Sequence, residues 1–249
     1  MIAMQSWDAA RVSKKQLRKD TFEGHVTDFI ATHEKRAPGP QAFLVEQDAN
    51  WVTPPHFHLE HQFQIVTAGG GAIGRHAVAP LTVHYAAPET GYGPITAGPA
   101  GVSYMTLRAM GDTGAWYLHK PGSRERMRAG LKREQQHGAP AGRCTAAELA
   151  GFAQAEIEEL IAPRQDGLAA YMVRMGPGQA AEVAARHAHG GRYYYVAQGS
   201  ASLAGVAASA VALLFASPDA AATLTAGADG AEVMILQFPH DALSMERAQ

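Results

Sequence analysis

The sequence predicts an all-β protein made of two similar halves in tandem. One observation is a series of short runs rich in β-branched and aromatic residues, such as residues 81–85 and 102–107, with glycine and proline between them. Runs of this kind are typical of the strands of a sandwich or a barrel. The other observation is an internal repeat, because three blocks of the first half recur in the same order in the second half.

The repeat has an offset of about 130 residues. Its blocks are His56 and His58 with His187 and His189, residues 83–89 with 213–219, and residues 95–101 with 224–230. Three matching blocks in the same order are hard to obtain by chance, and a repeat of this kind determines the architecture. We therefore expect two β-rich domains of similar build.

Size and composition exclude several classes of protein. The chain has 249 residues, enough for two domains, and a formal net charge of −2 argues against a general nucleic-acid binder. Cys144 is the single cysteine, so no intrachain disulfide can form. No apolar run is long enough to span a membrane, and the first residues do not resemble a signal peptide. We expect a cytoplasmic protein that binds neither nucleic acid nor membrane.

The strand-like runs define the predicted domains. A polar segment with several basic residues precedes the first run, and we expect it to be a solvated surface. Residues 1–110 are assigned to an N-terminal barrel and residues 166–249 to a C-terminal barrel. Residues 111–165, which are rich in charged residues, glycine and proline, are interpreted as a connector.

The connector contains the clearest helix signal in the sequence. Thr145 and Glu148 have the spacing of a capping box, in which the two side chains bond each other's backbone amides. Apolar residues follow at spacings of mostly three and four, up to Ile161, and Pro163 then interrupts the pattern. This predicts a helix over about residues 146–162 that packs against a barrel.

The stretch of residues 54–69 carries the chemistry of the first half. His56 and His58 are one residue apart, so on a strand their side chains point to the same face. The spacing His56-x-His58-x3-Gln62-x6-Gly69 resembles the first motif of the cupin superfamily, G-x5-H-x-H-x3/4-E-x6-G. Gln62 stands where the family usually has glutamate, and the leading glycine of the motif is absent.

The resemblance implies a fold class and a metal site. The implied fold is all-β, with two tandem cupin jelly-roll (double-stranded β-helix) barrels and a short connecting helix. The implied metal ligands in the first barrel are His56, His58 and Gln62, although Glu60 and His61 could offer ligands instead of Gln62. Neutral imidazoles with an amide suit one divalent transition metal, namely Fe, Zn, Ni or Cu, better than Mg or Ca.

The second cupin motif, P-x-G-x2-H-x3-N, normally supplies a third histidine. The matching residues 87–94 contain none, and Tyr92 or Gly93 falls near the expected place. His84 lies just before this region, and we take it as the candidate third ligand, with a hydrogen-bonded structural histidine as the alternative. The Tyr92 hydroxyl could face the cavity as a catalytic group, or the ring could pack in the core.

The second half looks less able to hold a metal. His187 and His189 are present, but Arg192 or Tyr193 stands at the position of the family's glutamate. Leu214 is the counterpart of His84. We therefore expect the working site in the N-terminal barrel.

The resemblance leaves two classes of function open. One is a metal-dependent enzyme acting on a small organic acid, with a dioxygenase slightly ahead of an isomerase or a lyase. The other is a non-catalytic cupin that binds or senses a small molecule, and a storage role is a weaker third option. Cupins often pair through edge strands, so we also expect a homodimer.

Overall fold

A computed structural model describes residues 1–33, 38–112, 114–185, 187–220 and 223–243 of the chain. These residues form two compact units, which we call the first barrel (residues 10–137) and the second barrel (residues 1–9 and 138–243). Antiparallel strands dominate both units, which confirms the predicted all-β fold. In the described part of the chain, no helix is long and apolar enough to cross a membrane.

The chain begins with strand β1 (Ile2–Gln5), which pairs in the second barrel, and helix α1 (Trp7–Ala10), followed by a 3-10 turn (Arg11–Ser13). The strands of the first barrel follow in chain order: β2 (Lys15–Lys19), β3 (Phe22–Ile30), β4 (Gln41–Gln47), β5 (Val52–Thr53), β6 (His56–Phe57), β7 (Gln62–Ile73), β8 (His76–Val78), β9 (Val83–Ala86), β10 (Ile95–Arg108), β11 (Trp116–Tyr117) and β12 (Gln135–Gly138). Their main sheet has the order β12-β9-β7-β10-β4-β3-β2, and β6 pairs separately with β11.

The second barrel contains one helix and the remaining strands. They are α2 (Ala146–Gly151), β13 (Glu156–Ile161), β14 (Ala169–Met175), β15 (Ala180–Ala181), β16 (His189–Leu203), β17 (Val206–Ser209), β18 (Leu213–Ala216) and β19 (Leu224–Pro239), with a final 3-10 turn (His240–Leu243). The main sheet has the order β1-β18-β16-β19-β14-β13.

The internal repeat predicted from the sequence is a structural repeat. The strand order β9-β7-β10-β4 of the first barrel matches β18-β16-β19-β14 of the second. The register matches as well, since Gln62 lies opposite Ala86 in one barrel and Arg192 lies opposite Ala216 in the other. Equivalent residues of the two barrels can therefore be compared directly.

The units divide the chain at other places than the sequence predicted. Residues 111–165 do not form a separate connector between barrels at 1–110 and 166–249. Strand β11 pairs with β6 in the first barrel, whereas β13 pairs with β14 in the second. Strand β1 pairs with β18, so the first residues belong to the second barrel. Residues 244–249 lie outside the described part.

The predicted helix over residues 146–162 is wrong in its length. Its start is correct, because Thr145 and Glu148 form the capping box. The helix ends at Gly151, and residues 156–161 form strand β13, whose backbone pairs with β14. Ile157 is 47% exposed, so the apolar spacing does not mark a buried helical face. Pairing with a sheet edge has overridden the local pattern, as tertiary context often does.

The inner faces of the two barrels differ in polarity. In the second barrel, alternate residues of β14 and β19 form an apolar cluster, as the two-residue period of a strand requires. In the first barrel, the buried inward positions of β7 carry Gln62 and Gln64 instead. The equivalent residues of β16 are Arg192 and Tyr194. Polar groups inside the first barrel therefore define its candidate site.

One glycine lies at a shift in strand register at the same place in each barrel, within β7 and β16, and it provides a test of the repeat. Gly69 and Gly199 have positive φ values of 67° and 71°, a conformation that other residues adopt at a cost. A Cβ atom would lie 2.2 Å from the Gly101 oxygen in the first case and 2.1 Å from the Gly230 oxygen in the second. Substitution at either position should therefore strain the strand backbone.

We expect Gly69→Ala and Gly199→Ala each to lower the free energy of unfolding by about 2–4 kcal/mol. Gly122→Ala is the matched control, because Gly122 also has a positive φ of 80° but no atom within 4 Å of the added carbon. It should cost about 1–2 kcal/mol from backbone strain alone. Chemical denaturation measures all three, and equal losses would contradict the proposed close contact.

Candidate ligand-binding and metal site

The first barrel encloses a cavity of about 350 Å³. Its walls include apolar and aromatic side chains such as Val26, Phe43 and Tyr104. Among the described residues, the lining includes Lys19 and Arg108 but no aspartate or glutamate. The cavity is therefore a pocket with a partly apolar wall and a positively charged lining.

Strand β6 places the two histidines of the motif in this cavity. His56 and His58 both line it, whereas Phe57 between them points away and stacks on Trp116 with ring centroids 6.3 Å apart. The two imidazole rings lie 5.3 Å apart at an angle of 89°. The two histidine side chains therefore lie on the same face, as their spacing in the sequence predicted.

Hydrogen bonds fix the proton of His56. Its Nδ1 lies 2.8 Å from the carbonyl oxygen of Pro54 and donates to it, so Nε2 carries the lone pair. That nitrogen lies 3.0 Å from the hydroxyl of Tyr92. Burial, and then the charges of His58 and Arg108, lower the pKa of His56 to about 3. His56 is therefore neutral at physiological pH.

His58 can hold its proton on either nitrogen. Its Nδ1 lies 2.9 Å from the carbonyl oxygen of Gly114, an acceptor, and 3.1 Å from Nη2 of Arg108, a donor. If Nδ1 donates to Gly114, Nε2 has a free lone pair; if Nδ1 accepts from Arg108, Nε2 has a free N–H. Burial and the charge of Arg108 lower the pKa of His58, so either form is neutral.

Tyr92 lies where the family's third histidine would be. Reciprocal backbone hydrogen bonds of 2.9 and 3.0 Å tie it to His56. Its hydroxyl accepts a hydrogen bond of 2.7 Å from Nε2 of Gln62 and donates to His56. Burial raises the pKa of Tyr92 above its usual value, so the phenol stays protonated. Tyr92 lines the cavity and its ring also belongs to the apolar core of this barrel, so both alternatives of the sequence analysis apply, and both bonds of its hydroxyl go to other side chains of the site.

Arg108 is a central residue that the sequence analysis missed. Its side chain is 1% exposed. Its Nε and Nη2 donate to Oε1 of Gln62 at 3.1 and 2.6 Å, and Nη1 donates to Oε1 of Gln41 at 2.5 Å. No sequence motif marks a buried arginine at the end of a strand. The antiparallel pairing of β10 with β7 could have indicated its role, because that pairing puts Arg108 beside Gln62.

Asp112 supplies a negative charge near this guanidinium without lining the cavity. Its Oδ2 accepts a hydrogen bond of 3.1 Å from the Leu59 amide and lies 3.3 Å from His58 Nδ1. Burial alone would raise the pKa of Asp112, but the hydrogen bond from His58 and the charge of Arg108 hold it below its usual value. Asp112 is therefore ionised and partly compensates the buried arginine.

The hydrogen bonds and ring contacts that the structure shows for His84 are with residues other than His56 and His58. Its two ring nitrogens lie 2.8 and 3.2 Å from the side-chain amides of Gln64 and Gln135. Its ring packs 4.8 Å from Tyr92, whose other neighbour is His56 at 4.6 Å. His84 is absent from the cavity lining. The hydrogen-bonded structural histidine, which was the alternative in the sequence analysis, fits these contacts better.

The other two alternative ligands also lie away from the cavity. His61 is buried, and its Nδ1 lies 2.6 Å from the Tyr85 hydroxyl. Glu60 is buried as well, and neither residue is part of the lining. Gln62 does line the cavity, in agreement with the spacing argument.

The donor set does not fit a metal site with three or four protein ligands. Within the described residues, no three His, Cys, Asp or Glu side chains are arranged to hold a metal ion. His56 and His58 offer two imidazoles, but the oxygen of Gln62 is occupied by Arg108. The guanidinium also repels a cation placed beside it. We therefore derive no reaction step through a metal.

The second barrel repeats the arginine–glutamine pair with the partners exchanged. Arg192 holds the position of Gln62, and its Nε donates to Oε1 of Gln237 at 2.8 Å. His187 is exposed, and His189 accepts a hydrogen bond of 3.0 Å from the Gly191 amide through Nδ1. Burial and the charge of Arg192 lower the pKa of His189 to about 4. A guanidinium thus lies inside both barrels.

Comparisons with known proteins identify the fold. The sequence matches no protein-family model and no curated relative. Three solved structures are similar: a proposed dioxygenase from Nostoc punctiforme (TM-score 0.64, 10% identity, 97% of this chain and 84% of the other), a bacterial pirin from Escherichia coli in complex with nickel(II) (0.57, 14%, 96% and 99%), and an oxalate decarboxylase from Lactobacillus farciminis in a formate complex (0.59, 13%, 95% and 86%).

All three are cupin-fold proteins, and each matches nearly the whole chain. At these identities the likeness concerns the fold. It agrees with the two sheets of matching strand order and with the His-x-His motif on a strand of the first barrel. The chain therefore has the cupin fold, repeated in two barrels.

Proposed function

We propose that the first barrel binds a small organic anion with a carboxylate group. The observation that carries this proposal is the lining of the cavity, which has Lys19 and Arg108 but no carboxylate among its described residues. The N–H groups of Arg108 bond Gln41, Gln62 and His58, so its contribution to binding is the positive charge that it places beside the cavity. Since Arg108 is fixed by Gln41 and Gln62, little ordering is needed when the anion binds.

The walls of the cavity suggest the rest of the ligand. A volume of about 350 Å³ lies at the lower end of the range for small-molecule sites. Phe43, Tyr104 and Tyr117 present aromatic surface there. A ligand with one carboxylate and a compact apolar or aromatic body complements both features.

The two protonation forms of His58 give the anion a second donor. When Nδ1 accepts from Arg108 instead of donating to Gly114 and Asp112, the proton is on Nε2, which can donate to a ligand oxygen. Arg108 and His58 can then act together on one carboxylate. The formate complex of the oxalate decarboxylase shows that a neighbour with this fold binds a carboxylate. This reading corresponds to the binding or sensing protein of the sequence analysis.

A metal-dependent enzyme remains a second candidate. It is favoured by the hydrogen bond from His56 Nδ1 to Pro54, which puts the lone pair on Nε2 as in metal-binding histidines. A metal would have to replace the Tyr92 hydroxyl, which donates to this lone pair. The pirin neighbour was solved with nickel(II). One Fe, Zn, Ni or Cu ion would then need oxygen atoms of the substrate or water to complete its coordination. The reaction would be that of a dioxygenase, an isomerase or a lyase on a small organic acid.

A homodimeric state and a cytoplasmic location stay predictions from the sequence.

The anion proposal predicts that a ligand needs a negative charge to bind tightly in the first barrel. Isothermal titration should show that benzoate binds at least about tenfold more tightly than its neutral isostere benzamide, because hydrogen bonds to a charged group are stronger. Pyruvate and pyruvamide provide a smaller pair. Arg108→Gln should remove the preference for the acid, with circular dichroism confirming the fold. Equal affinities for acid and amide in the wild type would contradict the proposal.

Lys19→Gln tests the positive charge of the cavity lining at an exposed residue, so that no buried side chain is changed. The affinity for benzoate should fall about two- to fivefold, because an exposed charge at the cavity is screened by water. Arg18→Gln is the matched control on the same strand: it removes the same charge but does not line the cavity. An equal loss in both variants would indicate an effect of net charge alone.

Metal content separates the two candidate functions. Elemental analysis of untagged protein, after exposure to Fe, Zn, Ni and Cu, should find well below one ion per chain if the first barrel is an anion site. A metal-dependent enzyme requires about one ion, lost in His56→Ala and His58→Ala. His187→Ala is the control, since His187 lies in the second barrel and is exposed.

A further inference from the structure

Two polar side chains point into the second barrel at the positions that carry Gln62 and Gln64 in the first. They are Arg192 and Tyr194 on strand β16, and they are 7% and 1% exposed. Tyr194 belongs to the apolar cluster of this barrel. A charged and a polar group thus lie in an otherwise apolar interior, which is costly unless both are compensated.

Arg192 has only neutral partners. Its Nε donates to Oε1 of Gln237 at 2.8 Å, and its Nη1 donates to the carbonyl oxygen of Val183 at 2.6 Å. Its Nη2 is buried without a hydrogen-bond partner. Among the described residues it forms no ion pair with a carboxylate. An uncompensated buried charge of this kind is strongly unfavourable.

The Tyr194 hydroxyl is a second unused group at the same place. It is buried without a hydrogen-bond partner. Burial raises the pKa of Tyr194, and the charge of Arg192 beside it counteracts part of that rise. The phenol is therefore protonated and can donate. Arg192 also lies close enough to interact with this hydroxyl, which lowers the pKa further, but neither Nη2 of Arg192 nor the hydroxyl has a partner in good hydrogen-bond geometry. Both groups can therefore still donate to a third partner.

The other buried arginine of this barrel shows how such a charge is normally compensated. Arg174 pairs with Glu232 at 3.1 Å and with Glu158 at 2.8 Å. In the first barrel, the buried Arg108 has the ionised Asp112 nearby. Arg192 differs from both in having no acidic partner among the described residues, so the missing negative charge is expected to come from a ligand.

We propose that the second barrel binds a small monovalent anion between Nη2 of Arg192 and the hydroxyl of Tyr194. The geometry offers donors for one halide ion or for the two oxygens of a formate-sized carboxylate. This site is separate from the cavity of the first barrel and shares no residue with it. It would neutralise the guanidinium and satisfy both unused donors.

Thermal unfolding of the full chain tests the site with chloride and formate as probes. The buffer is HEPES neutralised with sodium hydroxide, and sodium HEPES keeps the ionic strength constant. The wild-type Tm should rise with one or both anions and reach a plateau, because an anion that binds only the folded state stabilises it. The anion with the lower half-saturation concentration identifies the class, halide or carboxylate.

Two variants assign the effect to the site. Tyr194→Phe should have a Tm close to that of the wild type without anion, since its hydroxyl has no partner in good hydrogen-bond geometry, but a weaker response to the anion. Arg192→Gln should equal or exceed the wild-type Tm without anion, because a buried unpaired charge is removed, and should fall below it at saturation. The difference in Tm between Arg192→Gln and the wild type therefore changes sign when the anion is added. Arg143→Gln, an exposed residue of the same barrel, should respond like the wild type.

Bromide soaked into crystals of the full chain should give an anomalous peak within hydrogen-bonding distance of Arg192 and Tyr194. Equal responses in the wild type and in both site variants would overturn the proposal. So would a wild-type Tm that neither anion changes. Benzoate binding in the first barrel depends on other residues. If the second barrel does not respond to chloride or formate, the benzoate experiment is unaffected, so failures of the two proposals can be distinguished.

Discussion

The hydrogen bonds between Arg108 and Gln62 determine what the first barrel can do. They hold a guanidinium inside the barrel and occupy the oxygen that would otherwise face a metal. The bond from Gln62 to Tyr92, and from Tyr92 to His56, extends the same network across the cavity. The buried positive charge of Arg108 must be compensated. Asp112 compensates part of it, and we propose that a bound anion compensates the rest. In the proposed function, the histidine motif is therefore part of an anion site.

The exchange of arginine and glutamine between the barrels supports this view. Arg108 and Gln62 on neighbouring strands correspond to Gln237 and Arg192, so each barrel keeps one guanidinium and one amide at the same level of the sheet. A duplicated cupin barrel could have kept a metal site in one half and lost it in the other. Here both halves have a positive charge there, which is unfavourable for cations and favourable for anions.

Local patterns in the sequence predicted the parts of this site that depend on neighbours in the chain. The two-residue period put His56 and His58 on one face, and the capping box marked the start of α2. The end of that helix could not be predicted, because residues 156–161 pair with a distant strand. For the same reason Arg108 was missed, and the hydrogen bonds of His84 with Gln64 and Gln135 were not predicted. Their partners are set by the register of strands, which single residues do not reveal.

Conversion of the first barrel into a metal site would test the role of Arg108 most directly. The double variant Gln62→Glu and Arg108→Gln restores the carboxylate of the cupin motif and removes the guanidinium. Titration calorimetry with Zn²⁺ should then show at least about 100-fold tighter binding than in the wild type, because a repulsive charge is replaced by an attractive one. Binding of Zn²⁺ by the wild type as tightly as by the variant would contradict the account.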